Sequence, residues 1–143
     1  ADGWLSAALA RDIDLGFELA PATVPGIPLL LSELAGNLVD NAIRYTPCGG
    51  RVTVRTGTDA DGAWFAVDDN GPGVPPEARS RIFERFFRGD KEGASPGGCG
   101  LGLAIVRQIA LQHRANVSLG ESSEGGASFV VRFPPDEPRL LSP

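Results

Sequence analysis

Nineteen glycines are spread unevenly over these 143 residues, and their clustering limits the fold more than any other feature. They gather around 71–73 and again through 89–102, while the stretches between keep helical or strand periodicity. Glycine allows backbone conformations and close approaches that a Cβ forbids, so such clusters mark special backbone sites rather than low complexity. The second cluster ends in Gly97-Gly98-Cys99-Gly100-Leu101-Gly102-Leu103 and runs straight into a helical pattern. Leu103, Ile105, Val106, Ile109 and Ala110 carry that pattern from Leu101 to His113. Bare backbone opening onto a helix N-terminus presents N–H groups with partial positive charge, which suits phosphate oxygens. A flexible hinge has the same composition. No Lys-Ser/Thr pair follows the last glycine, which excludes a Walker loop, and a long loop rather than a strand precedes it, which excludes a dinucleotide loop.

The other segments supply the layers. Ile13 to Leu19 alternates apolar and polar residues, the period of a half-buried strand. Trp4, Leu5, Ala8 and Leu9 ahead of it recur at helical spacing, as the frayed end of a connecting helix would. After a proline-rich loop, residues 27–45 form a helix with Leu30, Leu31, Leu34, Leu38 and Ala42 as its apolar stripe. Thr46-Pro47-Cys48-Gly49-Gly50 stops it. Strands follow at 51–56 and 63–68, turning through Asp61-Gly62. Pro75 and Pro76 open a further helix with Ile82, Phe83, Phe86 and Phe87, and 117–120 with 128–133 close as a strand pair. Strands and helices without βαβ alternation imply a two-layer α/β sandwich, a mixed and mostly antiparallel sheet covered by helices on one face.

Two segments carry further chemistry. Glu33, Asn37, Asn41 and Tyr45 are spaced four apart, each about 40° further round the helix than the last. They border the apolar stripe, so amide side chains sit at the edge of the core. An amide oxygen is a neutral ligand for a hard cation, and magnesium takes one or two protein oxygens while keeping substrate phosphates and waters. A polar helix flank reads the same way. Asp68-Asp69-Asn70-Gly71-Pro72-Gly73 ends the apolar strand Trp64 to Val67. An ionised aspartate only accepts hydrogen bonds, so an amino group such as that of adenine is its natural partner, and Gly71 and Gly73 permit positive φ and close approach of a planar ring. A strand-to-helix turn favours the same residues.

Hydrophobic residues make up 42% and charged residues 22%, enough for one folded domain with its own core. Net charge is −5 and no basic stripe is present, which argues against nucleic acid as a partner. The longest apolar run, Ile27 to Leu31, is broken by Pro28 and is too short to span a bilayer. Ala1 to Arg11 lacks a signal-peptide pattern. Cys48 and Cys99 have no metal-ligand spacing, which fits a reducing, cytoplasmic setting. With no methionine in the sequence, the expectation is a piece of a longer protein.

Taken together, the asparagine stripe, the aspartate-glycine turn and the glycine loop resemble the nucleotide-binding boxes of the histidine-kinase, gyrase, chaperone and mismatch-repair ATPase superfamily. Asn37-Leu38-Val39-Asp40-Asn41-Ala42-Ile43-Arg44-Tyr45-Thr46-Pro47 is similar to its asparagine box. Arg81-Ile82-Phe83-Glu84-Arg85-Phe86-Phe87-Arg88 is similar to the phenylalanine box special to histidine kinases. The likeness covers about Ile13 to Phe133, with the motifs in the family's order and spacing.

The resemblance implies a Bergerat-type fold with ATP and Mg2+ as cofactors. It implies that Asn37 holds magnesium, Asn41 lies on the phosphates or the metal, Tyr45 flanks adenine or ribose, and Arg44 reaches toward phosphate. Asp69 takes the adenine amine, supported by Gly71 and Gly73. Gly98, Gly100, Leu101 and Gly102 contact phosphate at the lid and helix start. Arg85, Arg88 and, within the lid, Lys91 are the cationic candidates for the γ-phosphate, while Phe86 and Phe87 pack beneath the lid. Glu33 stands where hydrolysing relatives carry the residue that activates water, so it is the candidate for proton handling. His113, the only histidine, ends a helix away from these motifs and reads as a cap or packing residue, not as a phospho-acceptor.

The implied organisation is a linker end over 1–12, a catalytic domain over 13–133 with a lid at about 88–100, and a disordered tail over 134–143. The implied activity is γ-phosphoryl transfer to a histidine in an absent helical dimerisation domain of the same protein, with a response regulator downstream. The fragment itself would be monomeric and unable to autophosphorylate alone, and the parent would be anchored in a membrane. An ATP hydrolase of the same superfamily, a serine-kinase anti-sigma factor and a degenerate nucleotide-binding scaffold stay open at this point.

Overall fold

The computed structural model describes residues 6, 8–22, 24, 26–73, 102–123 and 125–135. The helix expected after Pro75, the lid, and the tail from 136 lie outside them.

Seven elements follow one another: β1 (Asp14–Leu19), α1 (Pro28–Tyr45), β2 (Arg51–Asp59), β3 (Gly62–Asp69), α2 (Gly102–Gln112), β4 (Asn116–Glu121) and β5 (Ala127–Arg132). The strands form one sheet in the order β1-β2-β3-β5-β4. β1 runs parallel to β2, and every other neighbouring pair is antiparallel. The parallel pair makes β1-α1-β2 a crossover unit, which the sequence reading did not foresee. A single parallel pair leaves little periodic trace in a sheet whose other neighbouring pairs are antiparallel.

Register decides which residues enter the core. Val52 pairs with Asp69, Val54 with Val67, and Val67 with Phe129. Alternation along each strand puts these on one face, against which both described helices pack. Leu34, Leu38, Val39, Ala42 and Ile43 of α1 join Val106, Ile109 and Ala110 of α2 over that face. The other face carries Thr53, Arg55, Asp68 and Ser128. The sandwich therefore has two layers, with helices on one side.

Two helix ends are built alike. Ile13 N–H donates to Ala8 O at 2.8 Å and Asp12 N–H to Leu9 O at 3.2 Å, with Asp12 at φ 57°. Ala115 N–H donates to Ala110 O at 2.8 Å and Arg114 N–H to Leu111 O at 3.1 Å, with Arg114 at φ 59°. Both are Schellman endings that carry a side chain where glycine is usual.

The start of α1 is different. Ile27 has no side chain able to cap, and Pro28 fills the first helical position without needing a donor. The free N–H of Ile27 is taken instead by His113 Nε2 at 3.1 Å. His113 Nδ1 donates to Ile109 O at 2.9 Å, so the two partners fix the neutral ring with its proton on Nδ1. The ring also lies edge-on to Phe133, 6.5 Å between centroids. His113 thus ties the two helices together, the cap or packing role expected of it.

Candidate nucleotide-binding site

Two adjacent carboxylates end β3, and strand alternation sends them to opposite faces. Asp68 points to the outer face. Arg55 Nε donates to its Oδ2 at 2.7 Å and Ser128 Oγ to its Oδ1 at 2.6 Å. The guanidinium also lies over Trp64, 5.2 Å from the ring centroid. Asp68 is thus part of a polar network on the outer face, in a cavity of about 370 Å³ shared with Glu18, Thr53 and Glu121.

Asp69 points to the helix side and is 8% exposed. Its Oδ1 accepts two main-chain N–H groups, from Gly71 at 2.9 Å and from Ala127 at 3.1 Å. Both donors are fixed by the fold, so the carboxylate has one orientation. The space beside it is kept by Gly126, a residue the sequence reading missed. A Cβ there would run into Asp69 Oδ1 and stand 2.5 Å from Asp69 O and 2.6 Å from Gly71 N. The only trace in the sequence is the Gly125-Gly126 pair ahead of the closing strand.

The two glycines after Asp69 differ in role. Gly73 has φ +79°, the left-handed region expected for it. Gly71 does not use the positive φ that glycine permits. A Cβ on Gly71 would make ordinary van der Waals contact, 3.4 Å from Asp69 Oδ1 and 3.5 Å from both Thr46 Cα and Pro47 Cδ. Asp69 and Gly71 therefore lie against the residues that directly follow Tyr45.

On α1, Asn37 Nδ2 donates to Glu33 O at 2.9 Å. With the amide nitrogen held by its own helix, Oδ1 is the atom left as an acceptor. Asn37, Asn41 and Arg44 are half-buried, as the expected stripe at the core's edge requires, while Glu33 and Tyr45 are exposed. Gly102 is the first residue of α2. Arg85, Arg88, Lys91, Gly98, Gly100 and Leu101 lie outside the described residues. Among the described residues no three His, Cys, Asp or Glu side chains converge to hold a metal. An amide oxygen with ligand phosphates is the donor set these residues fit.

Residues 26–137 match the family model described as histidine kinase-, DNA gyrase B- and HSP90-like ATPase. The sensor protein kinase PmrB of Pseudomonas aeruginosa is 42% identical over 95% of this chain and 28% of its own length. The sensor protein QseC of Salmonella typhi is 52% identical over 88% of this chain and 27% of its own length. The chain thus spans under a third of the curated relatives it matches. Among solved structures, a mycobacterial sensor histidine kinase, MprB, superimposes with a TM-score of 0.80 at 35% identity, covering 93% of this chain and 91% of that one. The chain belongs to the histidine kinase-, DNA gyrase B- and HSP90-like ATPase family, and within it is the catalytic ATP-binding domain of a sensor histidine kinase.

Proposed function

We propose that this domain holds ATP with magnesium between Asp69 and the asparagines of α1, and presents the γ-phosphoryl group to a histidine on a helical dimerisation domain of the same protein. A response regulator would then receive the phosphoryl group. In this reading the domain works in the cytoplasm, and a membrane anchor belongs to the remainder of the parent. Among the described residues no helix is long and apolar enough to cross a membrane.

The observation that carries the proposal is the fixed carboxylate of Asp69. It is a buried acceptor held by two main-chain donors beside a glycine that keeps its surroundings clear. That arrangement suits a planar base bearing an exocyclic amine. The helices supply the other end of the site. His113 ties the end of α2 to the start of α1. From this tie α2 runs over 11 residues to Gly102, about 16 Å at the helical rise. An antiparallel course along α1 from that tie would bring Gly102 level with the turn between Asn37 and Asn41. Backbone N–H groups at a helix start and amide oxygens then meet where phosphates and magnesium would lie. Glu33 is the candidate for proton handling, and Arg85, Arg88, Lys91 and the lid glycines for the γ-phosphate. Magnesium would neutralise phosphate charge, and the protein's share is to orient the nucleotide.

Calorimetric titration with a non-hydrolysable ATP analogue, with and without magnesium, tests this on the wild type and Asp69→Asn. Magnesium-dependent binding in the wild type, weakened about 10- to 100-fold in Asp69→Asn, is expected from the worth of a hydrogen bond to a charged group. A folded wild type that binds no nucleotide refutes the proposal. Adding the domain to its own histidine-bearing hairpin with labelled ATP then tests the transfer.

A further inference from the structure

We infer that Arg11 is a positioning residue that couples the segment entering the sheet to the adenine side of the site. The inference rests on Asp69 being the nucleotide-binding carboxylate. Arg11 lies between the helical turn at residues 8–10 and β1. Its Nη2 donates to Thr46 O at 2.7 Å, just beyond the end of α1. Gly49 N–H donates back to Arg11 O at 3.3 Å, and Asp14 N–H to Gly50 O at 2.9 Å. Residues 11–14 are therefore zipped onto the turn 46–50 by three hydrogen bonds.

The far side of that turn faces the site. Thr46 Cα and Pro47 Cδ close the space around Gly71, whose N–H holds Asp69 Oδ1. Gly50 abuts Asn70 Oδ1, which accepts Arg51 N–H at 2.8 Å. A shift of the entering segment thus reaches Gly71 and Asp69 through one layer of backbone.

A second observation separates this junction from an ordinary brace. Thr46 is fully buried, yet among the described residues neither its Oγ1 nor the buried Nε of Arg11 has a hydrogen-bond partner. A donor and a hydroxyl acceptor are orphaned on the two partners of one contact. Buried polar groups are nearly always paired, so the observed arrangement leaves hydrogen bonding unmade that a small shift of the guanidinium could recover. Coupling is reciprocal, so nucleotide at Asp69 must also change how firmly Arg11 is held.

Hydrogen exchange on the full chain, with and without AMP-PNP and magnesium, tests this. In the wild type, nucleotide is expected to slow exchange at Gly71 and Ala127, the donors to Asp69, and also at Asp14 and Gly49. In Arg11→Ala the protection at Gly71 and Ala127 persists, the protection at Asp14 and Gly49 is lost, and AMP-PNP affinity falls about 3- to 10-fold, part of the worth of one hydrogen bond from a charged donor. Arg11→Lys keeps the charge and one donor and recovers part of both effects. It also carries the test should the alanine variant fail to fold. A merely structural Arg11 would lower the melting temperature and leave affinity and the protection pattern unchanged, which overturns the inference. Protection at Gly71 without any at Gly49 in the wild type overturns the coupling alone. No protection at Gly71 or Ala127 removes the nucleotide reading and the coupling with it.

Discussion

Adding one methyl group at Gly126 should disable the site by displacing Asp69. The Cβ of Gly126→Ala would collide with Asp69 Oδ1 and stand 2.5 Å from Asp69 O and 2.6 Å from Gly71 N. Two of these three atoms are backbone, so no rotamer relieves the contact. The carboxylate must leave its two N–H donors, or β5 must move off β3, to which Phe129 and Ser128 pair it. Each hydrogen bond to a charged acceptor is worth about 1.5–3 kcal/mol, and overpacking costs about 1–3 kcal/mol. The low end of each range gives a loss of about 4 kcal/mol. Displacing the carboxylate should also weaken an adenine nucleotide about 10-fold or more.

Gly125→Ala is the matched control. Its Cβ meets nothing within 4 Å, but φ is +99°, so only backbone strain of about 1–2 kcal/mol is added. Urea denaturation followed by titration with AMP-PNP reads both quantities. The reasoning is refuted if the two alanine variants lose the same stability, or if Gly126→Ala binds nucleotide like the wild type.

Other substitutions separate the site from its scaffold. Asp68→Ala should cost about 1–2 kcal/mol in urea and leave nucleotide affinity unchanged, because Asp68 serves Arg55 and Ser128 on the outer face and Arg55 is itself a third exposed. His113→Ala removes the bonds to Ile27 N–H and Ile109 O and should lower stability by about 1–2 kcal/mol, read by the same denaturation curve. Arg114→Gly relieves φ 59° at the end of α2. It should stabilise by about 0.5–1 kcal/mol after the added chain entropy of glycine, visible as a higher melting temperature.

What the sequence shows, and what it hides, follows from the range of the interactions. The helix over 27–45 is read to within a residue because its apolar stripe is local and both ends are marked, by Pro28 and by Thr46-Pro47. The strands at 51–56 and 63–68 prove longer, Arg51–Asp59 and Gly62–Asp69, because the pairs Asp59–Gly62 and Thr58–Ala63 continue the ladder through polar and small residues that carry no apolar alternation. The bonds between Arg11 and Thr46 and between Ile27 and His113 join residues 35 and 86 positions apart, and no local pattern announces either.

The pair Asp68-Asp69 shows where pattern stops and register begins. Both are buried, at 6% and 8%, and both end the same apolar strand, so composition and burial do not separate them. Strand alternation says that they face opposite ways, but it does not say which way each faces. That follows from the pairings Val52–Asp69 and Thr53–Asp68, since Val52 belongs to the core and Thr53 to the outer face. A one-residue slip of β3 would exchange the two carboxylates. It would put the partner of Arg55 beneath the helices and the candidate nucleotide ligand on the outer face. Pro47 and Thr46 packed on Gly71, Gly126 against Asp69, and Arg55 with Ser128 on Asp68 all oppose that slip. The contacts at Gly71 and Asp69 therefore both pin the register and build the site, and a substitution that loosens them should loosen both.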